Sequence, residues 1–171
     1  VRRGLLFLDD GDSVAYSFSL RLALLYLEPQ KIVPQPDERN PQHLRLGKVT
    51  FRPFEENDGG YVKADARGYQ FFLDYQGPAM PFQSYSLAEL LSGKLHPRAI
   101  HDKIILIGVS AQSVKDFFFT PYSRGFSEAQ QVPGVILHAL TTSQLLRAGI
   151  EGVRPLATLT EGQEILWILL W

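Results

Sequence analysis

Lys103-Ile104-Ile105-Leu106-Ile107-Gly108-Val109 is the stretch on which the fold reading turns. It is apolar without period-2 alternation and rich in β-branched residues. His101-Asp102 bounds it on one side and Ser110 on the other. Such a run predicts a strand covered on both faces, the usual state of a central parallel strand. Downstream, Pro133-Gly134 opens a helix that extends to about Ala148 and is closed by Gly149, with Val135, Ala139, Thr142 and Leu146 facing the sheet. Strand, long loop and helix in that order predict an α/β fold: a mostly parallel sheet with flanking helices and a local antiparallel meander, in a single domain.

Upstream, Leu5–Leu8 reads as a short buried strand ended by the turn Asp9-Asp10-Gly11-Asp12. The acidic turn lacks calcium-loop spacing, and Asp and Gly suit a solvated turn. A helix is expected over 14–28, capped by Ser13, stopped by Pro29 and packed on most of its circumference. Residues 31–45, with Pro34, Pro36 and Pro41, are expected to be a loop. The meander follows: Val49 and Phe51, then the turn Asn57-Asp58-Gly59-Gly60, then Tyr69, Phe71, Leu73 and Tyr75 alternating with Gln70, Phe72 and Asp74 until Gly77-Pro78. Ser86-Leu87-Ala88-Glu89 is a capping box for a two-turn helix that buries Leu87, Leu90 and Leu91 and stops at Gly93.

Composition excludes several classes of function. Lys+Arg is 17 against Asp+Glu 18 in 171 residues, so the chain has no basic footprint for nucleic acid. The absence of Cys removes disulfides, thiolate metal sites and a cysteine nucleophile. The run Ile165–Trp171 is apolar and carries two Trp. Seven residues cannot cross a bilayer, which takes about 20. They are expected to be the start of a transmembrane helix, with 151–164 as its polar flank. The sequence opens on Val1-Arg2-Arg3-Gly4, with no Met and no signal-peptide pattern within it.

The motif search finds no dinucleotide fingerprint, no P-loop and no HExxH, and the four His have no metal-ligand spacing. No cofactor or metal is expected. Gln112 stands where a nucleophile elbow needs its second Gly, so a Ser110–His138–Asp116 triad lacks its usual support. Phe117, Phe118, Phe119 and Tyr122 crowd one loop and are expected to plug the core from outside.

An ordered set of residues resembles the CHASE domain of type two, the cyclases/histidine kinases associated sensory extracellular domain. It comprises Asp102–Gly108, Ala111, Asp116, Thr120-Pro121, Pro133-Gly134-Val135, His138-Ala139 and Leu145-Leu146. Val1-Arg2-Arg3, Leu5, Ser19-Leu20 and Tyr75–Pro78 fit as well, so the resemblance covers residues 1–150. Asp102 departs from the usual Gly before Lys103, and the family's usual upstream segment is missing. The chain thus resembles the C-terminal portion, or a short divergent version, of that domain.

The resemblance implies an extracytoplasmic sensory domain of a bacterial membrane receptor, anchored through flanking transmembrane helices. It implies an output through a cytoplasmic cyclase or kinase, a homodimer in the full receptor, and no catalysis in this domain. The alternatives are a soluble α/β hydrolase-like enzyme and a purely structural dimerisation module. An unknown small-molecule ligand is expected at the carboxyl end of strand 103–109, within reach of Ser110, Asp116, Thr120 and His138. The competing reading makes the same four residues structural, shaping and fastening a loop.

Overall fold

A computed structural model describes residues 1–77, 82–123 and 131–171. The chain divides into two compact units. The first holds Val1–Asp74 and His138–Trp171, the second Tyr75–Leu137.

The first unit begins with β1 (Arg3–Asp9), which pairs antiparallel with β2 (Val14–Tyr16) on one side and β6 (Tyr69–Phe72) on the other. The acidic turn between β1 and β2 closes on itself. Asp10 accepts from the amides of Asp12 and Ser13, and Asp9 accepts from that of Gly11. A register shift between Leu5 and Phe7 inserts Leu6 as an extra residue opposite β6, and Leu6 is fully buried. The Leu6 carbonyl accepts from Ser17 N–H, which fixes where α1 (Phe18–Leu27) departs from the sheet. Ser17 caps α1 by accepting from Leu20 N–H at 3.2 Å. The helix therefore starts four residues later than Ser13 would have set it, because 14–16 are already paired with β1. Only Ser19, Leu20, Ala23 and Leu27 of α1 are buried; Phe18, Leu25 and Tyr26 are exposed, so the helix is packed along one stripe rather than most of its circumference.

Part of the expected 31–45 loop is sheet. β3 (Pro34–Pro36), β4 (Leu44–Leu46) and β5 (Val49–Phe51) form an antiparallel meander in that order. Two prolines are tolerated because β3 lies at the sheet edge. Asp37 N–H donates inward to His43 C=O, so strand alternation turns the Pro36 and Pro34 nitrogens outward, where no ladder bond is lost. The β4–β5 turn carries Gly47 at φ 59°, and a Cβ there would collide with the carbonyl of Gly149.

The two sheets are joined by one phenol. Tyr69 Oη accepts from Leu44 N–H and donates to Phe51 C=O, both at 2.7 Å. Phe54 N–H adds a bond to Gln70 C=O. Against this core lies α3 (Gly134–Leu146), which opens in the second unit and continues through the first. Leu140 and Leu145 are buried there with Leu6, Leu20, Leu46, Phe51 and Phe71. Buried Gln144 reaches across to β6, accepting from Asp74 N–H and donating to Phe72 C=O. A π-helical turn (Arg147–Glu151) follows, and Gly152 at φ 81°, not Gly149, terminates it.

The second unit overturns the central expectation. Residues 103–109 form no strand, and no parallel pairing exists among the described residues. Ile105 and Val109 are exposed and Ile107 is 88% exposed. A buried strand requires neighbours that satisfy its backbone, and this run has none, so its composition alone does not make it sheet. The sheet content of the unit is β7 (Phe117–Phe118) antiparallel to β8 (Val132–Pro133). The helix α2 (Leu87–Leu91) has the expected capping box and ends with Gly93 at φ 68°. Its Leu87, Leu90 and Leu91 are exposed rather than buried. Phe118, Phe119 and Tyr122 are exposed too, so the aromatic loop does not plug a core. The expected stop at Pro78 lies outside the described residues.

Burial pushes the Tyr69 phenol from 10.0 up to about 12. A raised phenol pKa means that this group's share of stability is complete below pH 10 and is lost as pH rises through about 12. Tyr69→Phe leaves Leu44 N–H and Phe51 C=O without their partner and should cost about 1–3 kcal/mol in denaturant unfolding at neutral pH. The variant's alkaline loss of stability should be shallower than the wild type's.

Candidate functional site

The four residues expected at a ligand site each have a local setting. Ser110 is exposed in the extended segment after Val109. The Asp116 carboxylate lies against Gly134, the first residue of α3, where a Cβ would meet it, and Gly134 N–H donates to Asp116 C=O at 2.9 Å. A carboxylate beside a helix start is favoured by the helix dipole. Thr120 shapes a turn: its Oγ1 accepts from Tyr122 N–H, its N–H donates to Ser123 Oγ at 2.8 Å, and its carbonyl accepts from Ser123 N–H. Ser110, Asp116 and Thr120 belong to the second unit.

His138 belongs to the first unit and is the fifth residue of α3. Its Nδ1 is 3.1 Å from Ser19 Oγ, and Phe18 meets the ring edge-on at 5.2 Å between centroids. Ser19 is 3% exposed, and its carbonyl accepts from Thr142 Oγ1. The histidine thus stitches α3 to α1.

A concave site that the sequence reading missed lies within the first unit, between the β4–β5 hairpin, the turn 53–60 and the segment 154–158. Its volume is about 410 Å³. Asp58, expected only as part of a turn, organises it. The buried Asp58 carboxylate pairs with the Arg52 guanidinium, accepts from Glu55 N–H at 2.8 Å and accepts from Thr158 Oγ1 at 3.1 Å. Burial pushes its pKa up, but the hydrogen bonds from Arg52, Glu55 and Thr158 outweigh that and hold it below 3.8. The next residue, Gly59, sits at φ 60° under Phe72 and Thr158, so the turn has no room for a side chain there.

Three cations line the cleft: Lys48, Arg52 and Arg154. Phe54, Phe72, Pro155 and Leu156 supply its apolar wall. Asp58 and Arg52 are six residues apart, but Thr158 and Arg154 come from a segment read only as polar flank. The pairing of the free cationic positions 48 and 154 had no local signal; only the Asn57–Gly60 turn marked the region.

The depressed Asp58 pKa has a pH consequence. The pairing contributes fully above pH 3.8 and is lost as pH falls below that value. Asp58→Asn should destabilise the chain by about 1–3 kcal/mol at pH 7 and should flatten the acid limb of its stability curve, both read by denaturant unfolding.

No curated protein matches the chain, and no solved structure does. The family model described as CHASE2 domain matches residues 1–171, including the cleft segment 154–158 beyond the expected boundary at 150. The chain therefore belongs to the CHASE2 domain family, a family of extracellular sensory domains associated with signalling receptors.

Proposed function

We propose that this chain is the extracytoplasmic sensory domain of a bacterial transmembrane receptor that signals to a cytoplasmic cyclase or kinase. Membership of a sensory rather than catalytic family over the whole chain is the observation that carries this reading. The helix α4 (Glu161–Leu170) supports it. Thr160 caps the helix in a capping box with Gln163, which places polar residues at its start and apolar ones after them. Ile165, Leu166, Trp167, Ile168, Leu169 and Leu170 are all exposed, and Trp171 is 92% exposed. Apolar residues around the whole circumference suit a hydrocarbon surrounding rather than water. Ten residues rise about 15 Å, half of a bilayer core, and no helix among the described residues is long and apolar enough to cross a membrane. In this proposal α4 enters the membrane as the first turns of a span, and the receptor is a homodimer.

The chain contains no cysteine, which makes topology directly measurable. Val62 is exposed in the loop before β6. The parent protein carrying Val62→Cys should react with a membrane-impermeant maleimide in cells whose cytoplasmic membrane is intact, above the level of the unsubstituted protein. Labelling that appears only after lysis overturns the extracytoplasmic assignment.

A further inference from the structure

We propose that the cleft of the first unit binds a small organic acid, holding its carboxylate between Lys48 and Arg154 and its hydrocarbon part against Phe72, Pro155 and Leu156. The inference deepens the sensory reading by naming a ligand class for this cleft, and it rests on that reading only for its biological meaning.

Charge is the first argument. Among the three cations, Arg52 is consumed by Asp58, and Asp58 in turn is saturated by Arg52, Glu55 N–H and Thr158 Oγ1. Lys48 and Arg154 have no hydrogen-bond or ion-pair partner among the described residues, and the cleft contains no second carboxylate. A positive surplus here is specific to the cleft, since the whole chain carries −1. A guanidinium and an ammonium lining one cleft offer donors that suit a carboxylate.

Placement is the second. Lys48 stands in the β4–β5 turn, with its Cβ and Cδ 3.5 Å from where a Cβ on Gly152 would be, so its stem rests on the residue that ends the π-helical turn. Arg154 follows two residues later, and Thr158 further along the same segment is tied to Asp58. Arg154 is thus carried on the segment that Thr158 ties to Asp58, and Lys48 on the turn that the β4–β5 pairing closes, as pre-organised binding requires.

Shape is the third. The volume of about 410 Å³ falls in the range of small-molecule sites. Half of its wall is apolar, which a bare inorganic anion would leave unused. An alkyl or aryl carboxylate uses both halves.

The test titrates the 171-residue chain with phenylacetate, hexanoate, benzyl alcohol and inorganic phosphate, reading heat of binding and the unfolding midpoint. The acids should bind and raise the midpoint, and benzyl alcohol and phosphate should bind at least tenfold more weakly. Lys48 and Arg154 are exposed, so Lys48→Ala and Arg154→Ala should keep the wild-type midpoint without ligand while each weakens phenylacetate about tenfold or more. Arg67→Ala, which removes an exposed cation outside the cleft, should leave affinity unchanged. Absence of binding by both acids at millimolar concentration overturns the proposal, as does phosphate binding equal to theirs or affinity indifferent to both cleft variants. Failure here with Val62→Cys still labelled from outside would remove the cleft and leave the receptor assignment standing.

Discussion

A buried phenol bonds the two sheets of the first unit to each other on both of its sides. Tyr69 belongs to the β1–β2–β6 sheet, while the groups it bonds, Leu44 N–H and Phe51 C=O, belong to the meander. This joint sets where β5 runs, hence where the chain leaves β5 at Arg52, hence where Asp58 finds its guanidinium. Buried hydrogen bonds of this kind add only modest net stability, yet leaving one half unmade is expensive. That asymmetry makes Tyr69 a determinant of geometry more than a large stabiliser.

The same logic recurs with Gln144. Its amide bonds to the backbone on both sides of Leu73 and so lets a helix take the place of a missing strand beside β6. Arg147 pairs with Asp74 at 3.3 Å one turn later. The sheet edge and the start of the π-helical turn are therefore coupled. One backbone segment, 152–160, leads from the π-helical turn through the cleft wall to the cap of α4.

How much of this could be read in the sequence depended on whether the cause was local. The alternation from Tyr69 to Tyr75 marked β6 because side-chain period 2 is written in consecutive residues, and Ser86–Glu89 marked a cap because both partners lie in one turn. The run Lys103–Val109 misled because hydrophobicity records a preference for burial, whereas a strand also needs a neighbour, and no composition names that neighbour. Ser13 lost to Ser17 for a similar reason: 14–16 were claimed by β1. Among the candidate residues, Asp116 and Thr120 were recognisable as loop-shaping types, and His138 as a fastener, but its partner Ser19 lies 119 positions away. The cleft was invisible because Asp58 and Thr158 are separated by 100 residues.

The outward-facing nitrogens of Pro34 and Pro36 bear on how copies of this domain can meet. A free strand edge ordinarily offers a row of amides that another chain can zip onto, the route to fibrils and to uncontrolled association. Tethering receptors at high local density on one surface would raise that hazard. At β3 the donors needed for zipping are absent on the open side. Addition of a further strand at this edge is therefore blocked by the chain's own covalent structure.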